Sequence, residues 1–117
     1  MQANQFIGTW SLISNEFHRS DGTIVDPFGK DAVGRIYYDA AGNMAAQLMR
    51  ANRPNFVSND QLNGTPDEIK QAFEGAVSYF GTYEIDLNRG AVIHRIAHSV
   101  YPNWCGQKQV RFFEFSP

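Results

Sequence analysis

The sequence predicts an all-β fold, an antiparallel barrel or sandwich carrying one short helix. Three observations support this. Short stretches rich in aromatic and β-branched residues alternate apolar with polar. Turn pairs such as Asp21-Gly22 and Gly42-Asn43 punctuate them, and one segment alone carries a helical period.

Taken in order, "FIGTWSLISNEF" alternates from Ile7 to Phe17 and runs into "SDGT", a strong turn signal. Gly34–Asp39 and Met44–Arg50 flank "AAGN" and read as a hairpin. In "GTPDEIKQAFEGA", Thr65 can cap a helix, Pro66 suits its first position and Glu68 completes a capping box. Ile69, Ala72, Phe73 and Ala76 then fall on one apolar face. This predicts a helix over about residues 66–76, packed on the sheet. Val77–Asp86 and Ala91–Val100 form a second hairpin through "NRG", and Gln109–Phe115 is a final strand.

At 117 residues, 43% hydrophobic and 14% aromatic, the chain suits a single domain, residues 1–117, with its own core. Net charge is −2 and the ten basic residues are scattered, which argues against nucleic acid as a partner. Cys105 is the only cysteine, so neither an internal disulfide nor a multi-cysteine zinc site is expected. The first residues do not read as a signal peptide, and no apolar run approaches membrane length. The expectation is a cytoplasmic protein with no membrane partner.

"GAVIHRIAHSVYPNW" sets His94 and His98 four positions apart. On a helix such residues lie about 6 Å apart and can share a metal. On a strand they are separated by about 13 Å, at roughly 3.3 Å per residue, and cannot. The segment has strand periodicity, so both histidines are expected on one inward face, binding no shared ion. No HExxH or Cys/His spacing provides other metal ligands, and no glycine-rich loop cradles a phosphate. No metal and no cofactor are therefore expected.

"FIGTWSL" resembles the Gly-x-Trp motif of lipocalins. "DPFGKDAVGRIYYDAAGNMAAQLMRANRP", "YFGTYEID" and "HSVYPNWCGQKQVRFFEF" narrow the match. Together, from Phe6 to Phe115, they resemble the lipocalin-like domain family of small bacterial and fungal proteins. The resemblance implies a lipocalin-like antiparallel barrel around an apolar cavity, with Trp10 at its floor. Pro27, Phe28 and Gly29 would form the turn before the second strand, with Gly81, Thr82 and Tyr83 in the wall. It also implies further strands, whereas this sequence stops at "FEFSP".

Alternation along barrel strands selects the cavity lining. Gln47, Met49, Tyr83, His94, His98, Trp104, Arg111 and Phe113 are the candidate ligand-binding residues. His94, His98 and Tyr83 are also candidates for proton transfer or oxyanion stabilisation. Each has a structural alternative. His94 can be a buried neutral ring bonded to a tyrosine or a backbone group, and His98 can face solvent near its strand end. Tyr79, Tyr83 and Trp104 can simply pack, with polar tips bonded at the rim. Arg111, set among Phe113 and Phe115, needs a partner if buried, either Glu16 or an anionic ligand. Cys105 and His98 lack the third residue of a nucleophilic triad.

Binding of a small hydrophobic or aromatic metabolite with a polar or anionic group leads. An isomerase, cyclase or dehydratase using the same cavity is the second reading, and a ligand-free assembly module the third. Six clear strands fall short of the roughly eight of a closed ligand-holding barrel. Either a second copy pairs with the open edges, or "TIV" near Thr23 and "NFV" near Asn55 add strands. Both spare segments are short and flanked by proline, so a homodimer is expected.

Overall fold

The computed structural model describes residues 3–11, 17–18, 21–22, 24–25, 28–29 and 31–112. The strands are β1 (Gly8–Ser11), β2 (Phe17–His18), β3 (Ile24–Val25), β4 (Val33–Tyr38), β5 (Asn43–Met49), β6 (Ala76–Asp86), β7 (Ala91–Ser99) and β8 (Lys108–Phe112). Helix α1 (Pro66–Glu74) joins β5 to β6. Six strands form one antiparallel sheet in the order β1-β4-β5-β6-β7-β8, while among the described residues β2 and β3 pair with each other in a second sheet. The sheet is not closed into a barrel: β1 and β8 are its two edges.

Local chemistry explains the elements. Asp39 ends β4 and its carboxylate accepts from the Ala41 and Asn43 backbone N–H groups at 3.0 and 2.8 Å. Gly42, at φ 91°, takes the left-handed turn position that disfavours side chains. The hydrogen bonds, led by that from Asn43, hold the Asp39 carboxyl below its ordinary pKa. Thr65 caps α1 as predicted: its hydroxyl accepts from Glu68 N–H at 3.2 Å, and the Glu68 carboxylate accepts from Thr65 N–H at 2.8 Å. Gly75 ends the helix, its N–H bonding Gln71 O at 3.1 Å, and Ala76 already belongs to β6.

Two expectations need correction, and the alternative of closure by the spare segments is not met. The first strand was expected over Ile7–Phe17. Its described part, β1, covers Gly8–Ser11 in the main sheet, residues 12–16 lie outside the described residues, and Phe17 pairs with Val25 in the small separate sheet. Neither spare segment closes a barrel: Ile24–Val25 is in that small sheet, and Asn55–Val57 forms no strand. The apolar face of α1 is not buried on the sheet, since Ile69 and Phe73 remain 50% and 45% exposed. The preceding connection holds the helix instead. Arg53 Nη1 donates to Ala72 O at 3.4 Å, and Val57 N–H donates to a Glu68 carboxylate oxygen at 3.0 Å.

One face of the sheet carries the core: Tyr38, Met44, Ala46, Tyr79, Val92 and Ile96, with Phe6 from a 3₁₀ turn over Ala3–Phe6. Phe6 meets Tyr38 edge to face at 5.6 Å between ring centres. The opposite face carries a cross-strand row of Thr9, Tyr37, Ala45, Phe80 and His98.

A β-bulge divides β7. Gly81 pairs with Ile96 but its neighbour Phe80 pairs with His98, leaving Ala97 as the extra residue. The bulge requires glycine opposite it, because a Cβ at Gly81 would collide with the Arg95 carbonyl oxygen. One extra residue reverses the alternation beyond it. Val92, His94 and Ile96 are buried on the core face, while His98 emerges exposed on the other.

Candidate functional site

The core face holds a cleft of about 490 Å³. Trp10, Ile36, Leu48 and Val77 give it apolar walls, and Tyr38, Tyr79, His94 and Arg111 its polar groups. Trp10 is on edge strand β1 and Arg111 on edge strand β8, so the open sheet curls far enough for both edges to border one cleft. Volume and lining fall within the usual range of small-molecule sites.

At its base, His94 is 1% exposed and both ring nitrogens are bonded to tyrosines. Tyr38 Oη lies 2.6 Å from Nε2, and Tyr79 Oη lies 2.9 Å from Nδ1. These bonds satisfy a polar ring that would otherwise be costly to bury. Burial, then the positive charge of Arg111, push the His94 pKa down to about 4, so the ring is neutral at pH 7. Burial also raises the pKa of Tyr38 and Tyr79, keeping both hydroxyls protonated; Arg111 opposes this at each.

Strand register assembles this group. Tyr38 ends β4, Tyr79 lies on β6 and His94 on β7, all on the core face. Arg111 sits opposite Val92, on the same face and beside His94's partner Gln109. Its guanidinium is exposed, and Nη2 donates to Gln109 Oε1 at 2.7 Å. The expected burial of Arg111 is corrected accordingly. It borders the cleft as an exposed cation that also interacts with the Tyr79 hydroxyl oxygen. Glu16, Phe113 and Phe115 lie outside the described residues.

The other candidates disperse. His98 is on the opposite face because of the bulge, its ring 5.9 Å from that of Phe80. Its expected inward position is therefore corrected, and the two histidines cannot meet one ion. Gln47 and Met49 alternate with buried Met44 and Ala46, which puts them on the other face. Gln47 still borders the cleft at its open end, whereas the Met49 sulfur accepts from Arg53 Nη2 at 3.4 Å. Tyr83 packs edge-on against Tyr38 at 4.7 Å and donates to Asp39 O at 2.7 Å, outside the cleft lining. Trp104 packs behind the cleft, edge-on to Tyr79 at 5.8 Å. Trp10 is 41% exposed, its indole N–H donating to Phe6 O at 2.9 Å. It is a cleft wall rather than a barrel floor.

Ile36 and Tyr38 were not anticipated as lining, although alternation in "GRIYYD" sets them on one face. Larger hollows exist, and His94 lines neither of the two that follow. One of about 770 Å³ lies between the 53–61 connection and Ala72, lined by Arg53, Asn55, Asn59 and Asp60. Another, of about 610 Å³, runs along Ile7, Tyr37, Ala45 and Phe80. Among the described residues no three His, Cys, Asp or Glu side chains group as metal ligands. No helix among them is long and apolar enough to cross a membrane.

The described residues thus form an all-β domain, an open, curled antiparallel sheet with an aromatic-lined cleft on its core face. The chain belongs to the lipocalin-like domain family, whose pattern it matches over residues 7–117. It is also similar to the 4'-hydroxy-3'-methoxypropiophenone carrier protein ppsC of Aspergillus oryzae (strain ATCC 42149 / RIB 40). The two are 32% identical over 74 residues, spanning 58% of this chain and 67% of that protein. No solved structure matches the chain at a significant level.

Proposed function

We propose that this protein binds a small aromatic or hydrophobic metabolite bearing a polar or anionic group, and that the cleft over His94 holds it. The observation that carries this reading is the Tyr38–His94–Tyr79 group, buried at the base of an apolar cleft with Arg111 at its border. Apolar walls supply affinity by desolvation, while a few fixed polar groups set orientation. The carrier function named for the Aspergillus relative supports the same direction. Binding is favoured over catalysis because both His94 nitrogens are already engaged, leaving neither free to take a proton directly from a ligand.

The test is to denature purified protein and identify released small molecules by mass spectrometry. An apolar aromatic compound recovered in near-stoichiometric amount is expected. Its absence, together with no binding of aromatic acids or ketones by the refolded chain, would reject the reading.

We also propose that the chain is a homodimer. The two sheet edges, and Phe112 at 72% exposure on β8, support it, since unpaired edges invite strand addition. A cytoplasmic location belongs to the same proposal and is supported by the single unpaired Cys105.

A further inference from the structure

His94 cannot treat its two tyrosines alike. A neutral imidazole carries one N–H donor and one bare nitrogen acceptor. One tyrosine must therefore donate to the ring while the other accepts from it. The Tyr38 contact, 2.6 Å, is shorter than the ~2.7–3.2 Å of N–H donors but within the ~2.5–3.0 Å of hydroxyl donors. The Tyr79 contact, 2.9 Å, lies at the centre of the N–H···O range. These distances fit Tyr38 donating to Nε2 and Nδ1–H donating to the Tyr79 oxygen. Among the described residues, the Tyr79 hydroxyl hydrogen then has no acceptor, and Tyr79 lines the cleft.

We infer that the Tyr38→His94→Tyr79 chain has a fixed direction, making Tyr79 O–H the ligand's hydrogen-bond donor, so that the site selects an acceptor oxygen. This rests on the ligand-binding reading and narrows it to aryl carbonyl compounds and aryl carboxylates. Arg111, whose positive charge reaches Tyr79, adds preference for the anionic members. Tyr38 and His94 are positioning residues: they hold the Tyr79 proton toward the cleft without touching the ligand's oxygen. Removing the Tyr38 hydroxyl frees Nε2 to become the protonated nitrogen. Tyr79 would then donate to Nδ1 instead of to the ligand.

The direction is measurable without any ligand. Nitrogen-15 NMR of the full chain at pH 7 should show the His94 Nδ1–H tautomer; the Nε2–H tautomer would overturn the proposal. Binding then tests the consequence with acetophenone and α-methylstyrene, which have nearly the same shape but differ in the carbonyl oxygen. Acetophenone should bind about tenfold more tightly, the worth of one well-placed hydrogen bond. Tyr79→Phe should bring the two affinities together. Tyr38→Phe should shift His94 toward Nε2–H and reduce the preference. Equal affinities in the unaltered protein, or a preference that survives Tyr79→Phe, would overturn the donor role while leaving ligand binding intact. If neither probe binds, the selectivity proposal fails, while the ligand-binding reading is decided by the released-ligand test.

Discussion

His94 is the most constrained polar residue among those described, and its burial makes a pH prediction. In the unfolded chain its pKa returns to about 6.5, whereas in the fold it is held near 4. The folded ring therefore resists a proton that the unfolded ring accepts. Stability should be unaffected above neutrality, fall as pH drops below about 6.5, and level off for this group below about 4. The full loss is about 3 kcal/mol, of which about 2 kcal/mol should appear between pH 7 and pH 5. Urea unfolding at those two pH values checks this, and His94→Gln should remove most of the difference. Asp39 and Glu68, held below their ordinary values chiefly by backbone hydrogen bonds, add their own losses at lower pH. At this scale the sequence was partly legible. Strand alternation marked His94 as inward, and bonding to a tyrosine was one of its readings. Which tyrosines meet it depends on register between β4, β6 and β7, which are up to 56 residues apart in sequence at the Tyr38 bond. Nothing local encodes that.

The elements show where alternation is a good guide and where it fails. The hairpins at Asp39–Gly42 and Leu87–Gly90 and the capping box of α1 use short-range chemistry and were readable from a few residues each. The bulge at Ala97 was not. It has no composition of its own, and its signal is Gly81, which lies on the neighbouring strand. That single insertion moved His98 to the opposite face. Gly81→Ala should cost about 1–3 kcal/mol, because the added methyl meets fixed backbone and not a side chain that can turn. Chemical denaturation gives the comparison. His98→Ala, exposed on the outer face, should change stability by no more than about 0.5 kcal/mol and leave ligand affinity unchanged. A large loss of binding in His98→Ala would mean that the outer face, not the core face, meets the ligand.

The whole molecule is an open sheet whose two edges border its own cleft. The family and the all-β class were legible in the ordered motifs from Phe6 to Phe115, but closure was not. The pairing of β2 with β3 joins two-residue segments that no local pattern singles out. The proposed dimer makes a direct prediction. Sedimentation at micromolar concentration should give a species of twice the 13.2 kDa chain mass, and Phe112→Lys should return it to monomer. A concentration-independent monomer would reject it.

The central claim, that the core-face cleft is the ligand site, is tested most directly by NMR shift mapping with benzoate on the full chain. The predicted result is a saturable set of shifts at Trp10, Ile36, Val77 and Tyr79, with movement of the His94 ring signals. Saturable shifts confined to Tyr37, Phe80 and His98 on the opposite face, with His94 unmoved, would contradict the account.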